Sequence, residues 1–235
     1  MKREESRADS DDEDSDRSPV RAVQRALDLL NCFTEERARL TLSEAARSTG
    51  LPISTVSRLL ATLEHAGFLR RSAGAYACGP RLIQIGLNGL RNLPIYEVAE
   101  VHLTRLTDST GESSYLGISG EDGRIIYVRQ CLSPKSIRHA AWLGRTVPVE
   151  GTAIGAAITG KVGTHRFAAT RQTLEADVTA IAAPIYGPDG SIVAAINLTG
   201  PTYRIKDDDV HRFGLAVVAE ADAVSKEIGG ILAPP

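Results

Sequence analysis

The sequence lacks any run of about 20 apolar residues, the length with which a helix crosses a bilayer, and it opens on a charged segment instead of an apolar signal peptide. We therefore expect a cytoplasmic protein with no membrane partner. Cysteine is scarce: Cys32, Cys78 and Cys131 lie far apart, with no CxxC spacing. This spacing is typical of reduced thiols and argues against a disulfide framework or a cysteine zinc site.

Motifs of common enzyme classes are also missing. The chain has no G-x-S-x-G elbow, no P-loop, no G-x-G-x-x-G and no H-E-x-x-H. Its five histidines are isolated and do not have metal-ligand spacing. Cys131 follows a predicted strand, but no activating histidine motif accompanies it. These absences predict a protein that is not an enzyme and carries no cofactor or metal.

Charge nearly cancels over the whole chain but is unevenly distributed. Lysine and arginine number 27 against 29 aspartates and glutamates, a net of −2, which alone argues against a nucleic-acid partner. Residues 1–18 hold eight acids and four bases, whereas residues 19–92 hold ten bases and five acids. Phosphate contacts depend on such a local basic surplus. The first block is too charged to bury a core, so we expect an acidic disordered tail over residues 1–18.

A pair of short helices is predicted within the basic block. Thr41 and Glu44 have the spacing of a capping box, which starts a helix. Gly50 supplies a left-handed residue that ends a helix, and Pro52 suits the opening of the next one. The pattern indicates a helix-turn-helix.

The second of these helices has two different faces. Each residue rotates by about 100°, so Val56 shares a face with Leu59, Leu60 and Leu63. A merely solvated outer face would favour Glu and Lys, whereas hydroxyls and a guanidinium suit phosphate oxygens and guanine edges. Both a DNA-reading helix and a helical hairpin with a polar exterior remain open. The DNA interpretation assigns contacts to Ser54, Thr55, Ser57, Arg58 and Thr62.

A basic hairpin follows the second helix. Residues 68–71 and 75–78 are strand-like and flank a short loop, residues 72–74, that contains Gly74. Arg70 and Arg71 lie beside its tip and would reach backbone phosphates. An exposed edge hairpin protected by charge is the alternative, and the two are compatible. Helix-turn-helix followed by a basic wing predicts a winged-helix domain that binds double-stranded DNA.

The rest of the chain predicts a mixed α/β domain. A helix is expected over residues 93–108, and hairpins over residues 113–131 and 178–199, each with a Gly-containing turn. A final helix, residues 207–228, opens with three acids that suit its N-terminal dipole. Helices alternating with hairpins indicate an antiparallel sheet with helices packed against it.

Six segments, in order along the chain, resemble the isocitrate lyase regulator (IclR) family of bacterial transcription factors. Together these segments span nearly the whole chain except the N-terminal tail. Several motifs found in the family's order identify a family more specifically than any single motif does. The six segments are VQRALDLLNCF at 23–33, the helix-turn-helix and first wing strand at 40–71, GPRLIQIG at 79–86, TGES at 110–113, GRTVPVEGTAIGAA at 144–157 and AIAAPIYGPDGSIVAAINLTGP at 180–201.

The resemblance implies an α/β protein with a tail (1–18), a winged helix-turn-helix domain (19–80), a linker helix (81–92) and a GAF/PAS-like effector-binding and oligomerisation domain (93–230). It implies a homodimer or a dimer of dimers that binds a DNA operator, with dimer contacts from residues 20–33 and 80–90. It implies control of a catabolic or metabolic operon, as repressor or activator, in response to a small-molecule effector, a carboxylate or aromatic acid.

The effector contacts implied by the resemblance are the backbones of Ala153 and Ile154, then Ala180, Asn197 and Thr199. Asn197 and Thr199 are two residues apart and would share one side of a strand. The small residues at 151–157 equally suit close helix–sheet packing, so both interpretations stand. We expect Trp142 and Tyr115 to be core residues, with a wall of the pocket as the alternative role.

One segment departs from the family pattern. Residues 161–177 cover in 17 residues what family members fill with a long helical segment and an extra strand. An acidic ligand contact that the family often has here has only Glu175 and Asp177 as weak candidates. We expect His165, Arg166 and Arg171 to form a solvated basic loop, with anion contacts as the alternative. The departure keeps open a second function: a DNA-binding dimer whose C-terminal domain only oligomerises or docks a protein, without a ligand.

Overall fold

The computed structural model describes residues 19–34 and 36–232. The chain divides into two compact units, Met1–Asn88 and Gly89–Pro235, each with its own core. The boundary falls inside a helix, Pro80–Arg91, over which the sequence predicts the linker. The acidic tail expected over residues 1–18 lies outside the described residues.

Over residues 19–34 and 36–88 the first unit contains three complete helices, the greater part of the helix Pro80–Arg91, and a small antiparallel sheet of strand order β1-β3-β2. Its core is built from apolar side chains of all three helices and of the sheet, including Leu29, Ala45, Leu60 and Tyr76. The elements are α1 (Arg21–Leu30), β1 (Arg39–Thr41), α2 (Leu42–Thr49), α3 (Ile53–His65), β2 (Leu69–Ser72) and β3 (Ala75–Cys78), followed by α4 (Pro80–Arg91).

The residues predicted to start and end these helices do so in the structure. Thr41 accepts from the Glu44 backbone at 3.3 Å, and the Glu44 carboxylate accepts from the Thr41 backbone at 2.7 Å, which completes the capping box. Gly50 ends α2 in the left-handed region with φ 67°, and Pro52 caps α3. The helix-turn-helix is thus fixed by local sequence.

The wing hairpin has a tighter turn than predicted. Ser72 pairs with Ala75, so it belongs to β2 and the loop contains only Ala73 and Gly74. Both have positive φ, 50° and 78°, as a two-residue hairpin turn requires. The three-residue loop expected over residues 72–74 is therefore wrong by one residue.

The second unit is a six-stranded sheet between two layers. All neighbouring strands are antiparallel, in the order β6-β5-β4-β9-β8-β7, so two hairpins meet at the central β4–β9 pair. The elements are α5 (Pro94–Thr110), β4 (Ser113–Ser119), β5 (Arg124–Cys131), β6 (Thr146–Pro148), α6 (Ala153–Ile158), β7 (Ala168–Arg171), β8 (Val178–Tyr186), β9 (Ile192–Pro201) and α7 (Asp207–Glu227).

The two faces of the large sheet carry different cores. Leu116, Ile181 and Ile196 point to one face and pack with residues of α5 and α7. Their sequence neighbours point to the opposite face because side chains alternate along a strand. There Tyr115 and Ala182 pack with α6 and with aromatic residues of a long loop. This mixed α/β architecture with an antiparallel sheet is the predicted fold.

Candidate functional site

One face of α3 is exposed in the first unit. Val56, Leu60 and Leu63 are buried and hold the helix against the core. The exposed face carries four of the five α3 side chains assigned to DNA; the fifth, Thr55, is half-buried. The exposed four are Ser54, Ser57, Arg58 and Thr62.

The wing places its two arginines on opposite faces of the hairpin. Arg71 pairs with Tyr76, whose ring centre lies 5.6 Å from the guanidinium, whereas Arg70 pairs with Ala77. Ala77 also pairs with Arg39 of β1, so Arg39 and Arg70 flank it on one face of the sheet. Arg39 also donates to the Ser72 carbonyl at 2.8 Å. Sequence patterns missed Arg39, since a three-residue strand has no recognisable signal.

A small cavity lies between α6 and the sheet of the second unit. Its volume is about 30 Å³, room for about two water molecules. All five residues assigned to an effector line it: Ala153, Ile154, Ala180, Asn197 and Thr199. The structure brings them together from three elements, and their role as ligand contacts stays a prediction.

Strand register explains why the cavity exists. Asn197 and Thr199 lie two apart on β9, opposite Ala182 and Ala180 of β8. The alanine side chains are too short to fill the space beneath α6. The start of that helix is tied to β6, because the Thr152 hydroxyl donates to the Pro148 carbonyl at 2.8 Å; the same hydroxyl caps the helix by accepting from the Gly155 backbone at 3.1 Å.

Three buried polar atoms at the cavity have no hydrogen-bond partner within the described part of the chain. They are Asn197 Oδ1, Thr199 Oγ1 and Trp142 Nε1. The amide nitrogen of Asn197 is satisfied, since it donates to the Tyr127 hydroxyl at 2.8 Å. Buried polar groups normally have partners, so this cavity is suited to water or a polar ligand.

An aromatic cluster forms one wall. Trp142 and Tyr127 line the cavity with their ring centres 5.8 Å apart. Trp142 belongs to the buried core, as expected, and its role as a wall for a ligand stays a prediction. Tyr115 is buried beside these two rings, and its hydroxyl donates to the Ala140 carbonyl at 2.8 Å. Burial raises the pKa of Tyr115 to about 12 and also raises that of Tyr127. Burial lowers the pKa of His139, which also lines the cavity, below its ordinary value, against an opposing effect of Glu175.

The shortened segment covers the cavity. It retains an edge strand, β7, and Thr173, Leu174 and Glu175 after that strand line the cavity. The Glu175 carboxylate lies 3.5 Å from His139 Nε2. Of the two weak acidic candidates, Glu175 is therefore at the site, whereas Asp177 is not among the lining residues.

The expectation of a solvated basic loop is wrong for Arg166 and Arg171, which are half-buried and paired, whereas His165 is exposed. Arg166 pairs with both carboxylate oxygens of Asp222 on α7, at 2.9 and 2.6 Å. Arg171 donates to the Ile205 carbonyl at 3.0 Å, and His165 lies against the His211 ring. They tie the segment to α7 and to the residues before it, and they do not line the cavity.

A buried ion-pair cluster holds the loop that carries His139 and Trp142. Glu112 is 1% exposed and accepts from Lys135 at 3.0 Å and from two nitrogens of Arg204 at 2.6 and 2.8 Å. Arg204 also donates to the Ile137 carbonyl at 2.9 Å. The cluster thus fixes the loop two residues before His139.

Other site types are not found in the described ranges. Residues 19–34 and 36–232 contain no group of three or more His, Cys, Asp or Glu side chains that could hold a metal. Over the same ranges no helix has the length and apolar character to span a membrane.

Family models match both units. The IclR helix-turn-helix domain matches residues 22–73, and the bacterial transcriptional regulator IclR C-terminal domain matches residues 88–170 and 161–226. The HTH-type transcriptional regulator XynR of Escherichia coli is 25% identical over 248 residues, which cover 89% of this chain and 98% of that protein. The transcriptional repressor IclR of the same organism is 26% identical over 252 residues, with coverage of 90% and 91%.

Solved structures show the same fold. An IclR transcriptional regulator from Silicibacter sp. TM1040 has a TM-score of 0.79 at 24% identity, covering 91% of this chain and 98% of that one. An IclR homologue from Microbacterium hydrocarbonoxydans, in complex with 4-hydroxybenzoate, has a TM-score of 0.75 at 21% identity, with coverage of 88% and 98%.

Proposed function

This chain belongs to the IclR family of DNA-binding bacterial transcriptional regulators, and we propose that it controls an operon in response to a small molecule held in the α6 cavity. Membership makes the chain a regulator and not an enzyme, as the sequence predicts. The observation that carries the effector proposal is the cavity: all five residues that the family resemblance assigns to an effector line it, and three of its buried polar atoms have no partner among the described residues.

The exposed face of α3 is the proposed reader of base edges. Arg58 is its one guanidinium and suits a guanine edge, whereas Ser54 and Ser57 suit phosphates or bases. Arg70 and Arg39 on one face of the wing, and Arg71 on the other, are proposed phosphate contacts. These contacts would position the protein without reading sequence.

Two arginine substitutions separate these roles. We expect Arg58→Ala to cost about 1–3 kcal/mol on the operator and to relax specificity at one base position. We expect Arg70→Ala to weaken binding to all sequences and to reduce the salt slope. Fluorescence anisotropy with the intergenic DNA upstream of the protein's own gene, against a scrambled fragment, measures both.

Arg212→Ala is the matched control, because it removes the same charge from α7 in the second unit. It should leave DNA binding unchanged. Equal effects of Arg58→Ala and Arg70→Ala on both fragments would contradict the assigned roles.

A homodimer, or a dimer of dimers, is the proposed assembly. On α1, Val23 and Leu27 are 56% and 49% exposed, and on α4 Ile83 and Leu87 are 59% and 50% exposed. Exposed apolar side chains repeated along two helices are typical of a protein interface. Sedimentation of Leu27→Asp should show dissociation to monomers, and an unchanged assembly would argue against α1 as a contact.

Effector binding requires the cavity to enlarge. Pockets for small organic ligands hold about 300–1,000 Å³, far above the 30 Å³ observed. The cover formed by Thr173, Leu174 and Glu175 follows the edge strand β7 and is the part that must move. Coupling between effector and DNA would amount to about 1–3 kcal/mol. The homologue bound to 4-hydroxybenzoate supports a small ring compound as occupant.

The small volume also favours the second candidate, a C-terminal domain that only oligomerises or docks a protein. A thermal-shift panel of small acids, amides and alcohols separates the two. Stabilisation by a compound, lost in Asn197→Ala, supports the effector function. No stabilisation by any compound, with DNA binding intact, supports the second candidate.

A further inference from the structure

The charges around the cavity are unbalanced. Glu175 is the one carboxylate among the lining residues, and those the structure describes there include no lysine or arginine. On the proposed function, in which this cavity holds the effector, we infer that the effector is uncharged: a small ring compound with a hydroxyl or carboxamide group. The resemblance leads instead to the expectation of an organic acid.

The nearby arginines act on the cavity only from outside its lining. Arg138 opposes the burial that raises the pKa of Tyr115, and Arg145 adds to the burial that lowers the pKa of His139, but neither arginine lines the cavity. Tyr115 donates its one proton to the Ala140 carbonyl, so His139 Nδ1, 2.9 Å from the Tyr115 oxygen, must be the donor in that contact. With the proton on Nδ1, Nε2 of the neutral ring is an acceptor, and burial lowers the pKa of His139 and so favours this neutral form against the opposing effect of Glu175. Arg145 lies 5.8 Å from the centre of the Trp142 ring but does not line the cavity.

Two acceptors therefore face each other across a narrow gap. His139 Nε2 and Glu175 Oε2 are 3.5 Å apart, and neither has a proton to give the other. An O–H or N–H group of a ligand would satisfy one or both. A carboxylate has no donor and would add a third acceptor with a negative charge.

The unpartnered atoms on the sheet and on the long loop call for both kinds of hydrogen-bonding group. Asn197 Oδ1 needs a donor, and Trp142 Nε1 needs an acceptor. A hydroxyl or a carboxamide supplies both, whereas a carboxylate supplies only the acceptor. The start of α6 does not reverse this preference, because the helix has only six residues and Thr152 already binds the Gly155 amide. The backbone amides assigned to the effector, those of Ala153 and Ile154, can donate to a hydroxyl or carboxamide oxygen as well as to a carboxylate.

The remaining wall suits a flat apolar body. The rings of Tyr127 and Trp142 lie on one side, and apolar side chains complete the lining: Val147, Ile154, Leu174 and Val178. Glu175 is 44% exposed, so water screens part of its repulsion towards an anion. We expect an affinity difference of roughly tenfold between an uncharged ring compound and its acid, which corresponds to about 1.4 kcal/mol.

The test compares benzamide and benzyl alcohol with benzoate, which share one ring and differ in charge. Trp142 is the only tryptophan of the chain and lines the cavity, so its emission reports binding. In the wild type the uncharged compounds should bind roughly tenfold more tightly than benzoate. Glu175→Gln should remove most of that gap by strengthening benzoate binding.

Asp177→Asn is the matched control, since Asp177 is an exposed carboxylate two residues away that does not line the cavity. It should keep the gap. Two results would overturn the inference of an uncharged effector while leaving the effector function intact. One is tighter binding of benzoate than of benzamide to the wild type; the other is an affinity difference between them that Glu175→Gln does not change. If none of the three compounds binds and none changes the thermal stability, the result counts against the cavity as an effector site. It would then count against both the proposed effector function and the uncharged class of effector.

Discussion

Replacing Glu112 by glutamine tests whether the buried ion-pair cluster holds the cavity wall in place. The carboxylate accepts three charged hydrogen bonds, from Lys135 and twice from Arg204. Breaking a fully buried ion pair costs about 3–5 kcal/mol. The side chains of Lys135 and Arg204 are 40% and 23% exposed and can regain water, and glutamine keeps one acceptor oxygen. We therefore expect a loss of about 3 kcal/mol.

The assay combines a measurement of thermal stability with a measurement of Trp142 fluorescence, which reports on the loop. For a domain of this size each kcal/mol lowers Tm by about 2–4 °C, so Glu112→Gln should lower it by roughly 6–12 °C. Arg204 also holds the Ile137 carbonyl, and the same loop carries Trp142, which is 8% exposed. If that anchor is lost, Trp142 emission should shift to the red and become easier to quench with acrylamide in the still-folded protein.

Asp222→Asn supplies the comparison, because Asp222 forms a two-bond ion pair with Arg166 away from this loop. It should lower Tm without changing Trp142 emission. The reasoning fails if Glu112→Gln leaves Tm within about 2 °C of the wild type, given the scale above. It also fails if the two variants alter Trp142 emission equally.

Three further predictions follow from individual residues. Ala73→Gly should stabilise the first unit by about 0.5 kcal/mol in urea, because glycine accepts the φ of 50° without strain; a loss of stability would contradict that turn. Gly155→Ala should destabilise by about 3 kcal/mol, because its Cβ would overlap the Val149 carbonyl oxygen, whereas Gly86→Ala, with nothing within 4 Å, should be neutral or stabilising. Burial raises the Tyr115 pKa from 10.0 to about 12, so the folded protein favours the neutral form of the side chain. The resulting contribution to the free energy of unfolding, up to about 2 kcal/mol, is complete below pH 10 and is lost as the pH rises towards 12. Urea unfolding at pH 8 and pH 11 should show a smaller alkaline loss in Tyr115→Phe, and equal losses would refute this assignment.

The helix-turn-helix and the wing hairpin of the first unit were predictable because their signals are local. The capping box of Thr41 and Glu44, the left-handed Gly50 and the apolar spacing of α3 each act within a few residues. The extra residue of the predicted wing loop has a physical cause. Alanine rarely adopts positive φ, so a turn with Ala73 at its first position is not expected from sequence.

The edge strands could not be found in this way. β1, β6 and β7 are three or four residues long and exist because a partner strand distant in sequence offers hydrogen bonds. No periodicity can be read from so few residues. Consequently Arg39 of β1, and the cover of the cavity after β7, came from the structure alone.

The five cavity residues were found through the family resemblance, with the i, i+2 spacing of Asn197 and Thr199 as support. The cavity's ionisable residues were harder to assign. His139 lies in an irregular loop, and Glu175 follows an edge strand; only the fold brings them within 3.5 Å of each other. A sequence pattern cannot show that these two residues are close in space, although their proximity decides which ligands the site would accept.

The small residues around α6 were open to two interpretations, close packing or ligand binding, and the structure divides these roles among positions. Gly155 serves packing, because any side chain there would meet the Val149 carbonyl. Ala180 borders the cavity opposite Thr199, where a larger side chain would fill the space. The cavity therefore needs both a closely packed α6 and an unfilled volume beside that helix. A helix further from the sheet would open the cavity to water, and a larger residue at 180 would remove it.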